Sequence, residues 1–299
     1  MNNQPLVSVI IPAYNRAVES QRAVNSVLAQ KYDPLEILLI DDGSTDNTGE
    51  IFACYGPQVR YIRKDNGGVS SARNLGLELA TGKIVIFLDS DDEFRPGFLA
   101  ATLNYFSSNP DIHMCFALCS LVNERGEVVP PKHLLHDSQT NRRDTLSIFK
   151  NPYLPMSGIA IRDTLLQKGI RFDHQLRTAE DTDYLLKLSK YSYMGQINED
   201  LVVIHVGSSG LSSEEISYTD EIKVYERFVD ENPDFNNAHQ LDIRRIFARI
   251  YFNYADELMF RRNFKRAIPV LIKSMSYQWR LKTLTFLGKS FLLLPLNHN

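Results

Sequence analysis

Three carboxylates and a serine, Asp89-Ser90-Asp91-Asp92, close the apolar run Ile84-Val85-Ile86-Phe87-Leu88. Carboxylates crowded at the mouth of an apolar strand repel one another unless a cation sits among them. A hard divalent ion fits, because Mg2+ or Mn2+ takes oxygen ligands and binds through one or two carboxylates plus the phosphates of a substrate. Taken singly, such a cluster is also ordinary turn or helix-cap chemistry. An EF-hand does not fit, since Phe94 stands at the sixth loop position, where that motif needs glycine.

The elements that must position this cluster read as a repeating strand–helix pattern. Leu6 to Ile11 is a buried strand that Pro12 is expected to stop, and Ala23, Val24, Val27 and Leu28 mark one face of a following helix. Leu35 to Ile40 is a second strand, ending at Asp41-Asp42-Gly43-Ser44, with a short helix starting at Asp46 or Thr48. Val59 to Ile62 is a third strand, and Asn66-Gly67-Gly68 leads into a helix whose expected apolar stripe is Val69, Ala72, Leu75 and Leu79. The Ile84 strand and a helix from about Pro96 complete four repeats. Short joints of this kind imply a mostly parallel α/β sheet with helices on both faces. Ligands of such sheets bind beyond the carboxyl ends of the strands, where all four polar clusters fall.

Beyond Asp111 the alternation breaks. Ile112 to Leu118 and Leu121 to Val129 read as strands around a turn, and a polar stretch opens at Pro130-Pro131. Ser157 to Ile161 and Leu201 to His205 read as further short strands. Thr178 is expected to cap a helix carrying Glu180 and Asp181, and Ser212 with Glu215 a capping-box start for another. From Ile243 the pattern is helical, with one stripe through Ile243, Ile246, Phe247, Ile250, Tyr254 and Leu258. A second runs through Phe264, Ala267, Ile268, Leu271, Ile272 and Met275, as in a single tetratricopeptide-like hairpin. The expected division is 1–234 for the α/β domain and 235–299 for a basic helical region.

The composition bounds the rest. In 299 residues, 43% apolar content supports a sizeable core. Cys54, Cys115 and Cys119 lack metal-ligand spacing, and the latter two would lie roughly 13 Å apart on one strand, beyond disulfide reach. Reduced thiols, no basic n-region and no apolar run of about 18 residues point to a cytoplasmic protein, at most peripheral at the inner face of the membrane. Arg244 to Lys289 holds eleven Lys/Arg against two acids, so the rest of the chain must sum to −12 for the total of −3. Interleaved with Trp279 and several leucines, these bases suit an anionic membrane surface, a solvated helical cap or an oligomer contact. No nucleic-acid module accompanies them, so nucleic acid is not an expected partner.

Five ordered blocks carry a family resemblance: Val7 to Arg16, Glu36 to Asp46, Asn66 to Asn74, Leu88 to Asp92, and Ala179 to Tyr184. Over about residues 5 to 215 the chain resembles the family-2 glycosyltransferases of GT-A fold. The resemblance implies inverting transfer of a sugar from a nucleoside diphosphate, by default UDP, to a glycan or lipid-linked acceptor hydroxyl. It casts Asp181 as general base, with Glu180 contacting the acceptor or the sugar. Pro12, Tyr14 and Asp42 would meet the base or ribose. Asn66 and Gly67-Gly68 would lead into a helix whose free N–H groups face phosphate oxygens, and Arg73 would reach a phosphate or order the loop. Asp89 and Ser90 would serve the ribose or sugar. Asp91 would ligate Mg2+ or Mn2+, with Asp92 as the alternative, because spacing does not fix the register; His205 would approach the metal or diphosphate. The competing readings are a nucleotidyltransferase and a non-catalytic sugar-nucleotide-binding protein. The first usually wants a Gly-rich basic loop where Pro12-Ala13-Tyr14-Asn15 stands. A dinucleotide oxidoreductase lacks its G-x-G-x-x-G after the first strand.

Overall fold

The computed structural model describes residues 4–129, 142–151, 154–207 and 215–292. The chain forms two compact units, residues 1–175 with 180–210, and residues 176–179 with 211–299. Position 235, the expected boundary, lies inside the second of them.

The first unit carries ten strands and seven helices among its described residues. In chain order they are β1 (Val7–Ala13), α1 (Ala17–Leu28), β2 (Leu35–Asp41), α2 (Thr48–Phe52), β3 (Val59–Arg63) and α3 (Val69–Leu79). Then come β4 (Ile84–Phe87), β5 (Glu93–Phe94), α4 (Phe98–Ser108), β6 (Met114–Val122), β7 (Val128–Val129) and β8 (Arg142–Arg143). The series ends with α5 (Thr145–Lys150), β9 (Ala160–Arg162), α6 (Asp163–Leu166), α7 (Glu180–Ser189) and β10 (Met194–His205). One sheet takes them all in the order β3-β2-β1-β4-β9-β6-β10-β5, with β7 on β6 and β8 on β10. The strands β1 to β4, β6 and β10 run one way, and β9 runs against its neighbours β4 and β6. The carboxyl ends of β1, β2, β4 and β10 therefore face one edge.

Every residue of β1 is buried, as a central parallel strand requires. Val7, Val9 and Ile11 pack in one cluster with Ala23, Val24 and Val27 of α1. On the opposite face α3 comes so close that a Cβ on Gly76 would lie 2.4 Å from Ile10 Cγ2. Helices thus cover both faces, each buried aliphatic side chain contributing about 1.5–3 kcal/mol.

Three local readings need correction. Pro12 does not end β1, which runs on to Ala13. Carbonyls of Ile10 and Ala13 accept from Leu88 and Asp42 respectively, so position 12 points toward β4 beyond the last paired residue, and the missing N–H costs no ladder bond. The turn expected after Leu118 is absent, and β6 runs unbroken to Val122, the reversal coming at Asn123 to Glu127. The inner face of α3 is Ser70, Ala72, Arg73, Gly76 and Leu77, while Val69 is exposed. Glycine's close approach and a buried arginine, not aliphatic periodicity, orient that helix.

The second unit comprises α8 (Glu215–Glu231), α9 (Pro233–Ala238), α10 (Gln240–Phe260), α11 (Phe264–Tyr277) and α12 (Leu281–Leu292). The expected α10 stripe is buried throughout. On α11, Ala267 and Leu271 are buried, but Ile272 faces out. Phe247 stacks on Tyr277 with 5.0 Å between centroids, and Ser274 donates to the Ala248 carbonyl at 2.7 Å, closing the α10–α11 hairpin. Among the described residues no helix is long and apolar enough to cross a membrane. Ser212 and residues 130–141 lie outside the described residues.

Candidate active site

The loops after β1 and β2 are knotted together first. Asn15, at φ 50°, accepts from the Thr45 amide at 2.7 Å through Oδ1, and its own amide donates to Ser44 Oγ at 2.9 Å. Asp46 accepts from the Ala17 amide at 3.1 Å and from the Thr48 amide at 3.1 Å, which starts α1 and α2 at fixed places. Pro12 is buried, and Tyr14 is exposed on this rim. Gly43, at φ +84°, turns the chain where a Cβ would lie 3.0 Å from the Asn66 amide nitrogen.

Asp42 is buried and its carboxylate is fully engaged. Oδ1 accepts from Lys64 Nζ at 2.6 Å and the Gly67 amide at 3.0 Å, and Oδ2 accepts from the Gly68 amide at 2.7 Å. The Gly67 and Gly68 amides, which lead into the helix, are therefore spent on Asp42. Its observed work is to hold the Asn66–Gly68 loop against β2, leaving Asn66 exposed at the surface.

Arg73 sits at the centre of the acidic cluster with its side chain only 3% exposed. Nη2 donates to Asp89 Oδ1 at 2.8 Å, while Nη1 donates to Asp181 Oδ1 at 2.6 Å and Glu180 Oε1 at 3.2 Å. Burial works against its charge, but Asp181, Asp89 and Glu180 outweigh burial and hold the guanidinium protonated. The guanidinium also lies over the Phe172 ring, 5.3 Å from its centroid. Asn74, the next residue, exchanges two 2.9 Å bonds with the Phe172 backbone, and Phe172 stacks on Tyr184 of α7 at 3.9 Å. One arginine and its neighbour thus tie α3 to the β4 end and to the start of α7.

Asp181 keeps 30% of its side chain open. Burial, helped by the Glu180 and Asp89 charges, pushes its carboxyl up to about 8 against the pull of Arg73. Ala179, immediately before α7, is held at φ 60°, the left-handed region that a non-glycine residue enters at a cost of about 1–3 kcal/mol. Thr178 does not cap that helix; its amide donates to Asp220 Oδ2 at 3.2 Å and its hydroxyl to the same oxygen at 3.5 Å.

The Asp89–Asp92 cluster divides into inward and outward groups. Asp92 is buried, accepting from the Ser157 hydroxyl and from the His205 amide at 3.0 Å. Burial, then the charges of Asp89 and Asp91, push it up to about 8. Ser90 is buried too. His205 Nε2 lies 2.8 Å from Glu93 Oε1, so its ring is engaged there. Asp91 faces out: 32% of its side chain is open and its carboxylate pairs with Arg16 Nη1, while Arg22 Nη2 donates to its main-chain carbonyl at 2.6 Å.

Among the described residues no group of three or more His, Cys, Asp or Glu side chains is placed to hold a metal by itself. The donor set that fits Mg2+ or Mn2+ is the open oxygen of Asp91 completed by oxygens of a bound ligand, the usual habit of these hard ions. Asp92 and His205 already have partners within the protein.

Several residues escaped sequence reasoning. Ser157, read only as a strand start, donates to Asp92 and accepts from the Asp89 amide at 3.0 Å. Asp41 accepts from the Tyr61 hydroxyl and from the Ser44 amide at 2.7 Å, fixing the turn before Asp42. Phe172 carried no motif at all.

Comparison with known proteins agrees with this architecture. The family model described as glycosyl transferase family 2 matches residues 8–167. An uncharacterised glycosyltransferase of Rickettsia conorii is 31% identical over 208 residues, 68% of this chain, which spans only about a third (33%) of that protein's length. The uncharacterised glycosyltransferase YibD of Escherichia coli K12 is 28% identical over 282 residues, 90% of this chain and 77% of YibD. Among solved structures, S. aureus TarS 1-349 in complex with UDP-GlcNAc superposes with a TM-score of 0.67 at 23% identity, covering 97% of this chain and 81% of that one. The mannosyltransferase PcManGT of Pyrobaculum calidifontis, in complex with GDP-Man and Mn2+, gives 0.64 at 18% identity over 99% and 82% of the two chains. With an α/β sheet of GT-A type in its first unit and a helical C-terminal region in its second, the chain belongs to glycosyl transferase family 2.

Proposed function

We propose that the protein is an inverting glycosyltransferase that moves a sugar from a nucleoside diphosphate to an acceptor hydroxyl, with Asp181 as general base. The carrying observation is the single guanidinium of Arg73 bonded both to Asp89 at the end of β4 and to the Glu180–Asp181 pair of α7. A displacement at a sugar carbon needs a base on the face away from the leaving group. Arg73 fixes that base relative to the strand ends where ligands of such sheets bind. The relatives' complexes with UDP-GlcNAc and GDP-Man support a nucleotide-sugar as the substrate.

In this reading Tyr14 and Asn66 border the nucleoside, Asp42 positions the Asn66–Gly68 loop, and Asp89 with Ser90 serves the ribose or sugar. Asp91 holds Mg2+ or Mn2+, which when bound offsets the charge developing on the departing diphosphate. Asp92 and His205 brace the Asp91 loop through their mutual bond and Glu93. Glu180 touches the acceptor or the sugar. A panel of nucleotide-sugars screened for binding with and without Mn2+ tests the reading without knowledge of the acceptor. Binding of at least one that weakens on chelation is expected, and indifference to all of them would contradict it.

The acceptor side of the reading involves a membrane surface. No acidic residue follows Glu257, whereas eight Lys/Arg do. In that segment Trp279 is 75% and Leu281 81% exposed, and Leu284 shares the outer face of α12 with Leu281 and Thr285. Bases flanking exposed apolar side chains suit an anionic bilayer, where a lipid-linked acceptor resides. Leu281→Glu with Leu284→Glu should abolish flotation with phosphatidylglycerol vesicles. Equal flotation of that variant, or equal flotation with phosphatidylcholine alone, counts against it.

A further inference from the structure

Arg16 and Asp91 form an ion pair across the mouth of the site, and nothing in the proposed reaction yet uses it. Arg16 follows Asn15, whose bonds to Ser44 and Thr45 pin the backbone, and precedes Ala17, pinned by Asp46. Its base is therefore fixed while its side chain is 46% exposed and able to swing. Asp91 is held separately, since Arg22 grips its carbonyl at 2.6 Å and also reaches Glu93 at 3.2 Å. Removing the Arg16 guanidinium leaves that loop anchored.

We propose that Arg16 is a built-in stand-in for the divalent cation, neutralising Asp91 when the site is empty and turning to the ligand's diphosphate when Asp91 takes a metal. The inference rests on the reading of Asp91 given above. An open guanidinium–carboxylate pair is worth little, about 0–1 kcal/mol, so a doubly charged ion can displace it readily. Without Arg16 the Asp91 carboxylate would face the neighbouring acids with no ion-pair partner of its own. Once released, the guanidinium would remain beside Asp91, on the side from which a ligand's diphosphate would approach a cation held there. A charge-assisted bond to phosphate is stronger than the pair it leaves, and the forked donor suits phosphate oxygens.

Arg16 thus opposes the metal alone and assists the metal with nucleotide, so its removal has effects of opposite sign. The test is Mn2+ binding to the full chain, followed by the free-ion electron paramagnetic resonance signal, in wild type, Arg16→Gln and Asp91→Asn, each with and without UDP. Arg16→Gln should bind Mn2+ alone about three- to fivefold more tightly. With Mn2+ present it should bind UDP at least about tenfold more weakly. Unchanged or weaker Mn2+ binding by Arg16→Gln, beside a clear loss in Asp91→Asn, overturns the proposal for Arg16 alone. Undiminished Mn2+ binding by Asp91→Asn removes the underlying reading of Asp91 and the proposal with it.

Discussion

Arg73 Nη1 lies 2.6 Å from Asp181 Oδ1, a bond between residues 108 positions apart in the chain. Through it the helix after the Gly67-Gly68 loop is bonded directly to the helix bearing the proposed base. Lysine could not reproduce this, because a point charge on a flexible stem cannot fork to Asp89, Glu180 and Asp181 together. Arg73→Lys should fold with reduced stability and much reduced turnover. Arg73→Met should lose about 3 kcal/mol in urea unfolding, since it leaves three half-buried carboxylates without their shared buried partner. Wild-type stability in Arg73→Met would show that the cluster does not depend on this pairing.

Gly76→Ala reverses an ordinary expectation. On an exposed helix the change gains about 1 kcal/mol. Here the added methyl would meet Ile10 Cγ2 at 2.4 Å, so α3 must shift away from β1. A loss of about 1–3 kcal/mol in chemical unfolding is expected. A gain in stability would mean that α3 and β1 are less closely packed than described.

Glu221 gives the second unit a pH response independent of catalysis. Burial pushes its carboxyl up to about 7, against a smaller opposing influence of Arg249. A folded pKa above the unfolded value near 4.3 favours the neutral form, so its stabilising effect is complete below pH ~4 and is lost as pH rises through about 7. Glu221→Gln should therefore stabilise the protein by about 2 kcal/mol more at pH 8 than at pH 5. Melting curves at both values check the sign, and an equal shift at both would refute it.

The proposed base has a pH signature too. Because burial holds the Asp181 carboxyl up at about 8, the fraction able to accept a proton grows between pH 6 and 8. Turnover at saturating substrate should climb across that interval. A plateau already reached at pH 5 would mean that Asp181 titrates as an ordinary carboxyl, or that another group is the base.

Much of this arrangement was legible in the residues themselves. The buried runs of β1, β2 and β4 and the polar clusters at their ends could be read directly, because aliphatic runs and carboxylate turns are local signals. What could not be read is how each side chain turns once a strand ends. Asp91 and Asp92 are adjacent and chemically alike, yet one faces out to Arg16 and the other inward to Ser157, a choice set by partners 75 and 65 positions away. The Gly67 and Gly68 amides look like a phosphate cradle until Asp42 is seen to occupy them. Periodicity also misjudged α3, since a buried arginine and a glycine contact leave no aliphatic pattern.

Asp181→Asn is the most direct measurement. The substitution keeps size and an acceptor oxygen for Arg73 while removing the basic carboxylate. Nucleotide-sugar binding, followed by calorimetry with Mn2+, should stay within about threefold of wild type, and transfer should fall by at least about a thousandfold. Transfer at near wild-type rate in a variant that still binds the sugar nucleotide would contradict the assignment of Asp181 and the displacement built on it.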